Sequence, residues 1–297
     1  MKKNVIIAVF FAILAAFLYA INIPFSKLFL EIITPTLMAS YLYLGAGIGI
    51  GVLYLLFKKK SKQSNERITK KDLPYVIGMI VLDIAAPILL MFGLKMSLSS
   101  SASLLNNFEI VATSLIALFI FKEVISKKMW LAIILVTISS FFLSINNIGE
   151  FSFSFGSVLV LLATICWGFE NNCTKKLSNK NTYQIVFIKG IFSGIGAFVV
   201  AMCMQEKVTN IAYIGLVMLL GFISYGLSIF FYIKAQSVIG AAKTSAYYAI
   251  APFIGSFLSF IILNEKLDLF YFIGLVIMIL GSVVIIIDTL SKKQELR

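Results

Sequence analysis

Residues 19–27 read YAINIPFSK and residues 167–175 read WGFENNCTK. Each stretch places an aromatic residue before a small one and closes on Lys, and the two stand 148 residues apart. A second correspondence runs at an offset of 142. IFKE ends at Glu123, LNE ends at Glu265, and SSSASLLNNFEI (99–110) aligns with AAKTSAYYAIAP (241–252). Weak internal symmetry of this kind marks two copies of one structural unit. The copies are taken as 1–147 and 148–297.

What surrounds these stretches is overwhelmingly apolar. Of 297 residues, 60% are hydrophobic, 14% aromatic and 13% charged, with a mean hydropathy of +1.01. A soluble domain carries about 25% charged residues, so this chain lacks the polar surface to cover a water-facing body. A soluble enzyme and a disordered scaffold are excluded. Ten apolar runs are expected to span a membrane: 4–24, 34–57, 73–93, 97–121, 129–147, 155–175, 183–204, 210–233, 240–263 and 268–288. The fold class is therefore all-α integral membrane. Five spans per copy is an odd number, so the two five-helix repeats face opposite ways across the bilayer.

Charge placement agrees with this count. The net charge is +12, and cytoplasmic loops of membrane proteins accumulate Lys and Arg. With both termini inside, twenty basic residues fall on the cytoplasmic side, among them Lys58, Arg67, Lys71 and Lys243. Four fall outside: Lys27, Lys95, Lys207 and Lys266. Lys189 lies within the seventh span near its cytoplasmic end, where it is expected to snorkel. Lys2 and Lys3 before an alanine-rich run resemble a signal peptide, but the repeat and the charge distribution both need this helix to stay attached. The basic loop 58–71 has no interleaved aromatic residues, so anionic lipid explains it better than nucleic acid.

The small residues, Ser/Thr and closing Lys of spans one and six, with the small-residue runs ending in Glu123 and Glu265, resemble the EamA repeat of the drug/metabolite transporter superfamily. The first copy departs from the pattern at Tyr19-Ala20, where the second has Trp167-Gly168, and lacks a counterpart of Pro252. The resemblance implies export, or in some members uptake, of small metabolites such as amino acids, nucleotide-derived compounds, amines or drugs. It also implies a central cavity among spans 1, 3, 4, 6, 8 and 9.

Ionisable groups at mid-membrane are costly and are functional candidates by default. Asp83 is the eleventh residue of span three and Glu109 the thirteenth of span four, so both are expected near the bilayer centre as substrate-binding and proton-coupling groups. Asn106 shares the helix face of Glu109. Pro87, one turn after Asp83, frees a carbonyl of the preceding turn. At the 142 offset Asp83 aligns with Tyr225, Leu105 with Tyr247 and Asn106 with Tyr248, while Tyr232 shares a face with Tyr225. Carboxylates on one wall and tyrosines on the other suit an amine or an amino acid, through cation–π attraction added to the carboxylate field. In the alternative, these tyrosines are core or interface residues and the acids only hydrogen-bond to neighbouring helices.

Trp167, Glu170 and Asn171 share a face of span six. Trp167 is assigned to substrate binding, and Glu170 and Asn171 to a gate or cavity lining together with Pro87 and Asn22, the counterpart of Glu170. Glu170 equally suits a structural ion pair near Lys175. Glu123 and Glu265, at span ends, read as structural. The alternate glycines of GAGIGIG (45–51) lie in a hydrophobic run with no preceding strand, which excludes a dinucleotide loop. Gly47/Gly51, Gly45/Gly49 and Gly190/Gly194 instead form GxxxG pairs for close packing, within the bundle or between protomers. The chain has no His, and Cys166, Cys173 and Cys203 lie in apolar runs as packing residues.

Together these features point to a cell-membrane secondary transporter that is not an enzyme. It would export small metabolites, amino acids or related amines, by alternating access in exchange for protons. It needs no cofactor or metal, and its partners are a small-molecule substrate, membrane lipid and a proton or exchange substrate. It would act as a monomer or weak homodimer. The rivals are an uptake or exchange carrier for a nucleotide-derived or quaternary-amine metabolite, and a channel.

Overall fold

The computed structural model describes residues 2–57, 68–120, 122, 125–145, 154–177, 180–207, 211–239, 244 and 247–295. The expectations for Glu123, Lys243 and most of the basic loop lie outside them.

Helices α1 (Lys2–Ala20), α2 (Asn22–Phe29) and α3 (Pro35–Phe57) open the chain. After a 3-10 turn at Lys70–Asp72 come α4 (Leu73–Met96), α5 (Ser99–Leu105), α6 (Phe108–Phe119) and α7 (Lys127–Leu143). The second half holds α8 (Phe155–Lys176), α9 (Thr182–Cys203) and α10 (Ile211–Gly221), then a π-helical stretch, Phe222–Leu227. Helices α11 (Ser228–Ile239), α12 (Ala251–Leu263) and α13 (Leu269–Glu295) complete it. Seven helical stretches among the described residues are long and apolar enough to cross a membrane. Of the rest, α7 has 17 residues, α12 has 13, and α8 is polar in its last two turns.

Among the described residues four expected spans are interrupted, the ninth by a turn at Ala249-Ile250 ahead of α12. The first pauses at Ile21 and runs on to Phe29, so Lys27 lies on α2 and not in a loop. Its ammonium donates to the Leu94 and Ser97 carbonyls (2.6 and 2.8 Å), closing the C-terminus of α4. The fourth span breaks at Asn106-Asn107 into α5 and α6. In the eighth, the π stretch widens the helix around Tyr225. Such interruptions free backbone groups where a helix borders a site.

Side chains are distributed as a lipid environment requires, with small residues inside and large apolar ones outside. On α1, Ala8, Ala12, Ala15 and Ala16 are buried, while Ile6, Phe10 and Phe17 are exposed. The Ser228 hydroxyl donates to the Ala15 carbonyl at 2.9 Å, tying α1 to α11. The first helix is thus an integral part of the bundle.

Besides α6 on α8 and α3 on α10, the main packing partners are α4 with α8, α1 with α11, α3 with α9, α5 with α12 and α7 with α13. In terms of the expected spans these are 3–6, 8–1, 2–7, 4–9 and 5–10. Exchanging the two halves maps this set onto itself, as a pseudo-twofold axis demands. Alternate glycines of α3 serve two faces. A Cβ on Gly47 would lie 2.7 Å from the Ile191 nitrogen on α9, and one on Gly45 would lie 2.0 Å from the Met218 carbonyl oxygen on α10. The GxxxG pairs therefore pack inside one chain.

Candidate functional site

Helices α4, α8 and α9 converge on three charged side chains. Asp83 is completely buried on α4, and its Oδ2 lies 3.1 Å from the Lys189 ammonium on α9. The same ammonium lies 3.0 Å from Oε1 of Glu170 on α8. Lys189 does not snorkel: Gly190 next to it lets α9 approach α3 closely, and the lysine stem turns inward to two carboxylates that would otherwise be buried unpaired. The ion pair of Glu170 with Lys189 reaches across to the next helix, nineteen residues along the sequence. The Thr174 hydroxyl, one turn on, also donates to Glu170.

The other Asp83 oxygen accepts from the Tyr43 hydroxyl at 3.0 Å, and Trp167 reaches that hydroxyl as well. Pro87 is buried one turn after Asp83 with α4 continuous through it. Because proline lacks an N–H, the Asp83 carbonyl has no helical donor.

Glu109 stands in the first turn of α6, just after the break at Asn106-Asn107. Its Oε1 accepts from Asn171 at 2.6 Å, and Asn172 donates to the Thr113 carbonyl at 3.1 Å. Neighbouring residues of α8 thus reach both acids, Glu170 through the triad and Glu109 through Asn171. Glu109 also lies within electrostatic range of Glu170 and Lys189. At the break, Asn106 Oδ1 and Asn107 Nδ2 are buried with no hydrogen-bond partner among the described residues.

Beside the acids runs a continuous row of five tyrosine rings. Tyr43 contacts Tyr225 (centroids 5.3 Å), Tyr225 contacts Tyr19 (5.9 Å), Tyr19 contacts Tyr248 (5.8 Å) and Tyr248 contacts Tyr232 (5.2 Å). Asn22 donates to the Tyr225 hydroxyl at 3.2 Å and accepts from Ser26 at 3.1 Å. The Tyr248 and Ser228 hydroxyls are 3.3 Å apart.

Nine of the twelve residues singled out from the sequence are linked here, and Asn106 and Pro87 are buried within about a turn of Glu109 and Asp83. Tyr247 is the exception: it is exposed, while its neighbour Tyr248 joins the row. Sequence reasoning missed Lys189, Tyr19 and Tyr43. Tyr19 carried a signal, since the 148 offset matches it to Trp167. Lys189 was conspicuous as a basic residue inside a span, but its direction was set by α9 packing. Glu265 is structural as expected: it caps α5 through the Ser99 and Ser100 amides (2.6 and 2.9 Å). Glu206 caps α3 in the same way through Leu37 N (3.0 Å) and the Thr34 hydroxyl (2.6 Å).

The profile of the EamA-like transporter family matches the chain twice, over residues 6–145 and 154–287. The chain belongs to the EamA-like transporter family. It is 26% identical over 294 residues to an uncharacterized transporter of Methanothermobacter thermautotrophicus, covering 91% of this chain and 83% of that one. It is 23% identical over 264 residues to the uncharacterized transporter YyaM of Bacillus subtilis, covering 84% and 86%. A solved crystal structure superposes with a TM-score of 0.67 at 12% identity, covering 93% of this chain and 94% of the other, which shows the shared fold. As a member of the EamA-like family the chain is a multi-span membrane transporter.

Proposed function

We propose that this transporter exports small metabolites bearing a cationic group, amino acids or related amines, across the cell membrane in exchange for protons. The observation that carries the reading is the charge imbalance of the buried cluster. Asp83, Glu109 and Glu170 oppose the single ammonium of Lys189. Buried charge in a membrane protein must be compensated. Protons supply that compensation in one state and a cationic cargo in the other, and this alternation is the basis of exchange. The tyrosine row offers π-faces to the same cargo. In this reading ten spans form two inverted repeats with both termini cytoplasmic, and the halves rock about the site to give alternating access. The working unit is the monomer, since the GxxxG pairs are used within the chain.

The test is counterflow in proteoliposomes. With an acidic interior, amino acids and choline, which cross lipid slowly, are expected to accumulate above the level in protein-free vesicles while the interior alkalinises. D83N and E109Q are each expected to lose cargo-driven proton movement. Wild-type coupling in both variants would overturn the assignment of these two acids.

A further inference from the structure

Lys189 raises a question that the charge imbalance alone does not answer: why does a site for cations contain a cation of its own? The inverted copy supplies a comparison. Glu170 corresponds to Asn22 at the 148 offset, and Asp83 to Tyr225 at the 142 offset. The offset that relates Gly47 to Gly190 and Gly51 to Gly194 is 143, and it takes Lys189 to Ala46. At this symmetry-related corner, which likewise draws one residue from each copy, the contact is the neutral Asn22–Tyr225 hydrogen bond of 3.2 Å, and Ala46 stands in the position of the lysine. The architecture thus joins these helices without charge. The ionic version at the Asp83–Glu170 corner has a different purpose.

Four further features say what the purpose is. Within the triad Lys189 is the accessible member, its side chain 17% exposed against 0% for Asp83 and 2% for Glu170. Lys189 is thus the member of the triad with the least complete burial. Asp83 Oδ2 accepts no hydrogen bond among the described residues, so the ion contact with Lys189 is what holds it. The other groups within electrostatic range of the ammonium are acidic or neutral: Glu109 from α6 and Tyr225 from the π stretch. Finally, a lysine ammonium sits on a flexible four-carbon stem that can withdraw.

We propose that Lys189 is a tethered stand-in for the cargo: its ammonium occupies, between Asp83 and Glu170, the place that the ammonium of an organic amine takes during transport. This rests on the reading of the cargo as a cation. The lysine keeps the two carboxylates paired while the site is empty and competes with the cargo when it arrives. The apparent affinity for an amine is then its intrinsic affinity reduced by the fraction of time the place is open. A purely structural ion pair beside the cargo's place instead predicts that K189R, which keeps the charge, binds the amine as tightly as wild type, because nothing competes for that place.

The experiment is calorimetric titration of the purified full-length protein with phenethylammonium, whose ring suits the tyrosine row, and with 2-phenylethanol as the uncharged control. K189M is expected to bind phenethylammonium about tenfold more tightly than wild type or better, with no comparable gain for the alcohol. K189R carries the test if K189M does not fold. A guanidinium bridges two carboxylates more firmly than an ammonium, so K189R is expected to bind the amine at least about tenfold more weakly. Unchanged or weaker binding by folded K189M would overturn the inference, as would K189R binding as tightly as wild type or an equal gain for the alcohol. In each of those cases amine binding by the wild type leaves the cargo reading standing. No amine binding by wild type or variant would remove both.

Discussion

Lys189 shows how one side chain decides the electrostatics of a buried site. It neutralises two acids at once, so its loss is costlier than the loss of either acid. K189M leaves two carboxylates without a counter-charge, and breaking a buried pair this way costs about 3–5 kcal/mol. E170Q keeps the Asp83–Lys189 pair and the Thr174 hydrogen-bond partner, so it is expected to melt within a few degrees of wild type. Thermal unfolding in detergent should rank the variants wild type, E170Q, K189M from most to least stable. The inverse order would show that the triad is not ionised as drawn.

Elements make contact through glycine, and the tolerance of each glycine follows from what faces it. A Cβ on Gly45 would meet the Met218 carbonyl oxygen at 2.0 Å, whereas one on Gly215, inside α10, meets nothing within 4 Å. G45A must push α3 away from α10, and is expected to cost about 1–3 kcal/mol. G215A is expected to gain about 0.5–1 kcal/mol by relieving the entropy of glycine within a helix. Opposite shifts in melting temperature for these two substitutions check the packing. Helix ends are a second element-scale matter. Glu265 satisfies the free amides at the start of α5, so E265A is expected to lose about 0.5–2 kcal/mol. Its amine affinity should stay at the wild-type value, because Glu265 belongs to a helix cap and not to the triad.

At the scale of the whole molecule the question is how the bundle lies in the membrane. The basic residues outnumber the acidic ones, 25 to 13, and by the positive-inside rule both termini are expected in the cytoplasm. A green fluorescent protein fused to the C-terminus is expected to fluoresce in a bacterial host. Alkaline phosphatase fused after Lys207 is expected to be active, because it folds only on the outer side. The reverse pattern would invert the topology and with it the direction of transport.

Much of this was legible in the chain itself. Composition identified a membrane bundle because too few polar residues exist to cover it in water, and the repeats at 148 and 142 announced two copies of one unit. Asp83, Glu109, Glu170 and Asn171 stood out because ionisable or polar groups deep in an apolar run need a reason to be there. The tertiary structure alone decided which of these groups meet. Periodicity places a residue on a face of its own helix but not opposite a neighbour, so it could not distinguish Lys189 snorkelling outward from Lys189 reaching two acids on other helices. Nor could it separate Tyr248, in the aromatic row, from the exposed Tyr247 beside it. The interruptions at Ile21 and Asn106-Asn107 coincide with polar residues, Asn22 and the Asn pair itself, but a polar residue inside an apolar run fits a continuous helix as well as a broken one. Local sequence determines what a segment can bury. Only the close approach of helices through Gly47, Gly190 and their like determines what it is buried against.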